Sequence, residues 1–139
     1  MGTYLSLPAL ALIASGAMLG AILRWWLGLA LNQHFTVLHQ LPLGTLAANF
    51  LGGMIIGMVL GLMQLTDSFS SEWRLFLMTG FLGSLTTFST FSAEVITLIQ
   101  TGRLLAGVLW IGVHVIGTLT LTWLGMACVM WLFATSSSS

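Results

Sequence analysis

Gly80-Phe81-Leu82-Gly83-Ser84-Leu85-Thr86-Thr87-Phe88-Ser89-Thr90-Phe91-Ser92-Ala93-Glu94 is the stretch on which the reading of the whole chain turns. It sets glycines, serines, threonines, phenylalanines and a carboxylate into a sequence that elsewhere reads as lipid-soluble helix. A bilayer interior accepts polar side chains and interrupted helix only where protein or a water-filled path shields them. The segment is therefore a packing site or a passage.

Its surroundings establish the solvent. The 139 residues are 58% hydrophobic and 4% charged, against about 25% charged residues in a soluble domain. Arg24, Arg74, Arg103, Asp67, Glu72 and Glu94 are the whole charge inventory, with no lysine. This is the composition of an integral membrane protein. A formal net charge of zero supplies no basic face for nucleic acid or anionic headgroups, so no nucleic-acid partner is expected. Cys128 is the sole cysteine; it lies in an apolar run and is expected to be a buried, inert thiol. The N-terminus lacks a positive n-region and its apolar run exceeds a signal h-region, so it reads as a retained membrane helix. Ser136–Ser139 is low-complexity sequence, expected to be a disordered tail.

A spanning helix needs about 20 mostly apolar residues. The segments 5–31, 43–63, 73–100 and 104–133 qualify, giving one four-helix transmembrane domain over 1–135 with both termini on the same side. The fold class is an all-α membrane protein. Arg74 lies on the terminal side and Arg24 and Arg103 lie opposite, which is almost no bias for the positive-inside rule. Either orientation is open to such a chain, and an antiparallel, dual-topology homodimer is a reasonable reading beside a single orientation. Gly16/Gly20 and Gly53/Gly57/Gly61 stand at the spacing that lets helix backbones approach closely in lipid.

Helical phasing splits the opening segment. Positions 80, 83, 87, 90, 94, 97 and 101 read Gly, Gly, Thr, Thr, Glu, Thr, Thr along one face, and 81, 84, 88, 91 and 95 read Phe, Ser, Phe, Phe, Val beside it. A polar track thus runs along an aromatic ladder. Gly80, Gly83 and the β-branched pair Thr86-Thr87 predict a break near the middle of the third helix, which would rephase the residues before it. Each hydroxyl taken alone is explained by a bond to a carbonyl of its own helix; packing does not by itself require a broken helix and a carboxylate together.

Other polar residues stand inside the spans. Thr45, Asn49 and Gly53 form a stripe on the second helix, where the Asn is either interhelical glue or part of a lining. His114 and Thr118 are one turn apart on the fourth span, with no second ligand at metal spacing. Arg24 is placed to snorkel to the interface. Hydroxyl and amide donors, together with ring edges that carry positive potential, favour a small anion, while ring faces leave a cation open.

The run Gly80-Phe-Leu-Gly83 followed by Thr86-Thr-Phe-Ser-Thr-Phe-Ser-Ala-Glu94 resembles the third-helix signature of the Fluc (CrcB) fluoride channels. Gly20-Ala-Ile-Leu-Arg24-Trp25, Gly44-Thr45 with Asn49, and the stretch from His114 to Thr118 support the match, which covers about 15–133 in order. The resemblance implies passive fluoride export across the inner (plasma) membrane by an antiparallel homodimer with two pores. It implies that Phe88 and Phe91 turn ring edges to the fluoride path and that Asn49 is its asparagine. Ser89, Thr90 and Thr118 match its hydroxyl track, with Glu94, Thr45 and His114 beside it and Arg24 in the vestibule. It further implies a structural Na+ on the dimer axis, held by backbone carbonyls at Gly83 and Thr86. Thr118 stands where some relatives have Ser, and His114 where others have Tyr.

A small multidrug exporter is the alternative of another class, but that resemblance would put a carboxylate in the first span, where this chain has none. A non-transporting membrane subunit would account for the glycines and leave the Asn, Thr and Glu unexplained. An enzyme is not expected, because no nucleophile or metal-ligand spacing accompanies His114.

Overall fold

The computed structural model describes residues 6–34, 41–66 and 69–136, and the described residues are helical apart from short connectors. α1 spans Leu7–His34 and α2 spans Leu43–Leu65. The third span is two helices: α3 over 71–85 and α4 over Phe88–Gln100. α5 covers Leu104–Ser136. Four of these stretches are long and apolar enough to cross a membrane: Leu7–Asn32, Leu43–Leu65, Ser71–Gln100 and Leu104–Thr135. They match the expected spans to within about the two residues by which helix ends ordinarily vary. The helix of α5 includes Ser136, so the expected tail does not begin there; its remaining residues lie outside the described ones.

Local chemistry sets the ends. Ser70 caps α3, its hydroxyl accepting from the Trp73 N–H at 3.4 Å, with Glu72 in the first turn beside the helix's positive end. α4 closes in a Schellman arrangement: Gly102 N–H donates to Ile99 O and Arg103 N–H to Leu98 O. That turn needs a left-handed residue, and Gly102 supplies it at φ 77°.

The helices meet backbone to backbone where the glycines stand. A Cβ on Gly20 would collide with the Phe81 carbonyl oxygen, and one on Gly80 would lie 2.6 Å from Ile13 O, so α1 and α3 are in main-chain contact. A Cβ on Gly57 would meet the Thr122 carbonyl oxygen, and one on Gly125 the Met54 carbonyl oxygen, so α2 and α5 are equally close. The stripe of small residues read from the sequence is thus a packing seam on both sides of the bundle. Within α3, Leu75–Leu82 is π-helical, a wider winding in which N–H groups reach back five residues.

The break in the third span changes its neighbours. α3 packs on α1, whereas α4 packs on α5. One apolar cluster joins Ala48, Leu82 and Leu85; the other joins Phe91, Val95, Leu98 and Trp110. The break lies at Thr86 (φ −80°, ψ 150°) and Thr87 (φ −149°, ψ 114°), both extended. Gly83, at φ −62° and ψ −27°, is helical. The threonines therefore carry the interruption, while Gly80 serves close packing; β-branched residues accept extended backbone readily.

Cys128 corrects an expectation. It is exposed on the outer face of α5, because an apolar run in a spanning helix belongs equally to the lipid-facing side, and hydropathy does not tell that side from the core.

Candidate functional site

The extended Thr87 turns its N–H away from the helical bond it would otherwise close, so the chain satisfies the break with side chains. Asn49 on α2 reaches across to Thr87: its Oδ1 accepts from the Thr87 N–H at 2.8 Å, and its Nδ2 donates to the Thr87 carbonyl at 3.3 Å. The Thr87 hydroxyl oxygen caps α4, accepting from the Thr90 N–H at 3.2 Å, and also donates to Thr90 Oγ1 at 3.0 Å. Ser89 Oγ lies 3.2 Å from the same oxygen. Thr86 bonds back to the Leu82 carbonyl through both its N–H and its hydroxyl. Asn49, open between glue and lining on sequence grounds, makes interhelical bonds here and also borders a cavity.

That cavity, about 490 Å³, opens beside the break. Asn49, Gly83, Thr86, Thr87, Phe88, Phe91, His114 and Thr118 are among its walls, with Gly52, Gly53, Ile56, Met78, Leu82, Val115 and Leu119 on its apolar side. Most of the residues singled out in the sequence therefore converge on one groove from α2, α3, α4 and α5. Phe88 stands 77% exposed at its mouth while Phe91 is 6% exposed in its wall. The aromatic ladder crosses helices. Phe88 and Phe91 centroids are 5.5 Å apart, Phe91 and His114 are 4.5 Å apart, and His114 and Trp110 are 4.8 Å apart.

Thr45 and Glu94 do not line this groove; they form a second polar cluster with Trp110. The Thr45 hydroxyl donates to Glu94 Oε1, and Trp110 Nε1–H donates to Oε2 at 3.3 Å. The carboxylate thus ties α2, α4 and α5 together at the far end of the ladder. Ser89 and Thr90 are exposed at the start of α4, and Arg24 is half-buried on α1; none of the three borders the groove. Thr87, marked on the polar face and at the break, was not read as the helix cap that it is. One contributor went unmarked in the sequence. Trp110 was legible only as one turn before His114, a weak signal among six tryptophans.

The cluster sets its own test. Glu94→Gln is expected to fold almost as wild type, since an amide oxygen can accept from Trp110 while its NH2 donates to the Thr45 oxygen. Glu94→Leu is expected to lose about 2 kcal/mol by leaving Thr45 and Trp110 unpaired. Thermal unfolding of the purified variants in detergent separates the two; equal losses would show that the carboxylate, not hydrogen bonding, matters.

His114 is 4% exposed, and its Nδ1 lies 3.2 Å from the Trp110 carbonyl oxygen, which makes Nδ1 the protonated nitrogen. Its Nε2, also buried, meets no hydrogen-bonding partner among the described residues. An orphan of this kind costs about 1–3 kcal/mol, and the residue that carries it is one of those lining the groove.

Four spans, a break clamped by side chains and a groove mixing phenyl rings with donors define a membrane protein with a polar site inside its helical bundle. A sequence model of the CrcB-like protein family, Camphor Resistance (CrcB), matches residues 11–126, and the chain belongs to that family. It is similar to the fluoride-specific ion channel FluC of Pseudomonas putida, 52% identical over 121 residues covering 87% of this chain and 93% of the relative. The FluC of Chromohalobacter salexigens is 52% identical over 124 residues, 89% of each chain, and that of Pseudomonas aeruginosa is 49% identical over 120 residues, covering 86% and 92%. The chain is a multi-pass membrane protein and not an enzyme; among bacterial relatives that membrane is the inner one.

Proposed function

We propose that this protein is a fluoride-selective channel that lets the ion leave the cell passively, working as an antiparallel homodimer with two pores. The observation that carries the reading is the groove itself. It gathers Phe88, Phe91, Asn49, Thr118 and His114 from three helices around a space that a single chain leaves open. A second copy would close it. The near-absence of charge bias between the two ends suits two copies inserted in opposite directions.

Fluoride is small and binds its hydration water tightly, so a path for it must replace that shell. Ring edges carry positive potential without being obligate donors. Phe88 and Phe91, 5.5 Å apart and inclined at 59°, offer two such edges in succession. The free N–H of the Asn49 amide and the Thr118 hydroxyl supply directional donors in the groove, and the hydroxyls of Ser89 and Thr90, exposed outside it at the start of α4, would add donors where a second copy closes over them. Weak contacts spaced in series allow an ion to enter and also to leave. Glu94 and Thr45 continue the polar track beyond the groove, and Arg24 is the permanent cation available to draw anions toward the vestibule.

A structural sodium ion at the break is part of the same reading, and the donor set fits it. In a continuous helix the Gly83 carbonyl would accept from the Thr87 N–H and the Thr86 carbonyl from the Thr90 N–H. Both donors are occupied by side-chain oxygens. Two carbonyls at one groove are thus released from helical bonding, and an opposed copy would contribute two more. When bound, the ion would supply a fixed positive charge that balances these carbonyl dipoles. The experiment for the channel reading is efflux from liposomes followed with a fluoride electrode. Fluoride is expected to leave while chloride is retained; equal chloride release, or fluoride movement that requires a proton gradient, would overturn it.

A further inference from the structure

The geometry points to a second role for Asn49: it is a positioning residue that creates the cation site, by withholding from Gly83 the N–H that would otherwise cover its carbonyl. This rests on the sodium reading above and goes beyond it, because it makes a residue of the anion groove responsible for the cation's ligands.

The bonding at the break leaves little choice. Thr87 N–H is the natural helical partner of the Gly83 carbonyl, and it points instead to Asn49 Oδ1 at 2.8 Å. The Asn49 amide also holds the Thr87 carbonyl at 3.3 Å, so α2 grips Thr87 by both of its main-chain groups. The extended backbone of Thr87, ψ 114°, is what that two-point grip selects. The second carbonyl is released in the same manner by a different side chain. Thr90 N–H, the partner that Thr86 O would have, is taken by the Thr87 hydroxyl at 3.2 Å. Gly83 and Thr86 border the groove, whereas Ser84 and Leu85, whose carbonyls are also released by the break, do not. The pair exposed to a ligand is the pair whose donors are captured by side chains.

Two consequences follow for Asn49. Removing its acceptor frees the Thr87 N–H to turn back onto Gly83 O, which costs the cation a ligand. Keeping an acceptor at the same place retains the ligand even if the anion path is altered. Asn49 therefore couples the two ions through the main chain of Thr87.

The test measures sodium binding to the purified dimer in detergent without fluoride, as the rise in thermal unfolding midpoint when Na+ replaces N-methylglucamine at constant ionic strength. Asn49→Ala is expected to raise the Na+ concentration needed for a given rise in midpoint by roughly tenfold, the factor that about 1.4 kcal/mol of lost coordination produces. Asn49→Asp, which keeps an oxygen acceptor for Thr87, is expected to stay close to the wild-type value. Thr87→Val is expected to weaken Na+ binding in the same direction and Thr87→Ser to restore it, and this pair carries the test should Asn49→Ala not fold. Unchanged Na+ dependence in Asn49→Ala and Thr87→Val, with wild type responding, overturns the inference alone. A wild type whose midpoint ignores Na+ overturns the sodium reading and the inference with it.

Discussion

Gly57→Val is expected to cost at least about 3 kcal/mol and to shift thermal unfolding accordingly, the upper end of what overpacking usually brings. The Cβ would fall on the Thr122 carbonyl oxygen, with the carbonyl carbon at 2.8 Å and Cα at 3.0 Å. All three are main-chain atoms of α5, so no rotamer change relieves the collision; α2 and α5 must move apart. That movement would also pull Asn49 from Thr87 and loosen the break, so the variant should lose transport as well as stability. Gly112→Ala is the matched control. Nothing lies within 4 Å of its Cβ position, and alanine is the better helix former by about 1 kcal/mol. Its melting should equal or exceed wild type. A Gly57→Val protein that melts as wild type would mean that the two helices are not in main-chain contact.

Phe88→Ile and Phe91→Ile should both cut fluoride efflux at least about tenfold, equivalent to about 1.4 kcal/mol on the barrier, yet differ in what else they do. Phe88, 77% exposed in the single chain, meets the ladder through Phe91, so its loss should lower the melting temperature less than that of Phe91. Phe91 belongs to the cluster with Val95, Leu98 and Trp110 and stacks on His114 at 4.5 Å. Its replacement should lower stability by about 1–2 kcal/mol as well, from lost ring packing. Efflux from liposomes and melting in detergent, measured on the same preparations, give the two readouts. Unchanged efflux for both would return the rings to a packing role.

The spans were legible because length and hydropathy alone decide them, and the glycine stripes were legible because close approach leaves few other uses for such spacing. The break was legible as a local conflict of composition, but not to the residue. Gly80, Gly83, Thr86 and Thr87 were all marked for it, and only the two threonines carry it, since what holds Thr87 extended is Asn49, 38 positions away. Glu94 and Thr45 were both marked without being seen as partners, because the phasing of one helix says nothing of what another presents to it. Cys128 was misplaced for the related reason that a spanning helix is apolar on every side.

The change of neighbours at Thr86–Thr87 gives the third span a modular character. Residues 71–85 are fitted to α1 and residues 88–100 to α5, with Asn49 as the clasp between them. Each half answers to its own packing partner, so substitutions in one can accumulate without re-matching the other. In such a protein the unit of packing is the half-helix rather than the transmembrane segment.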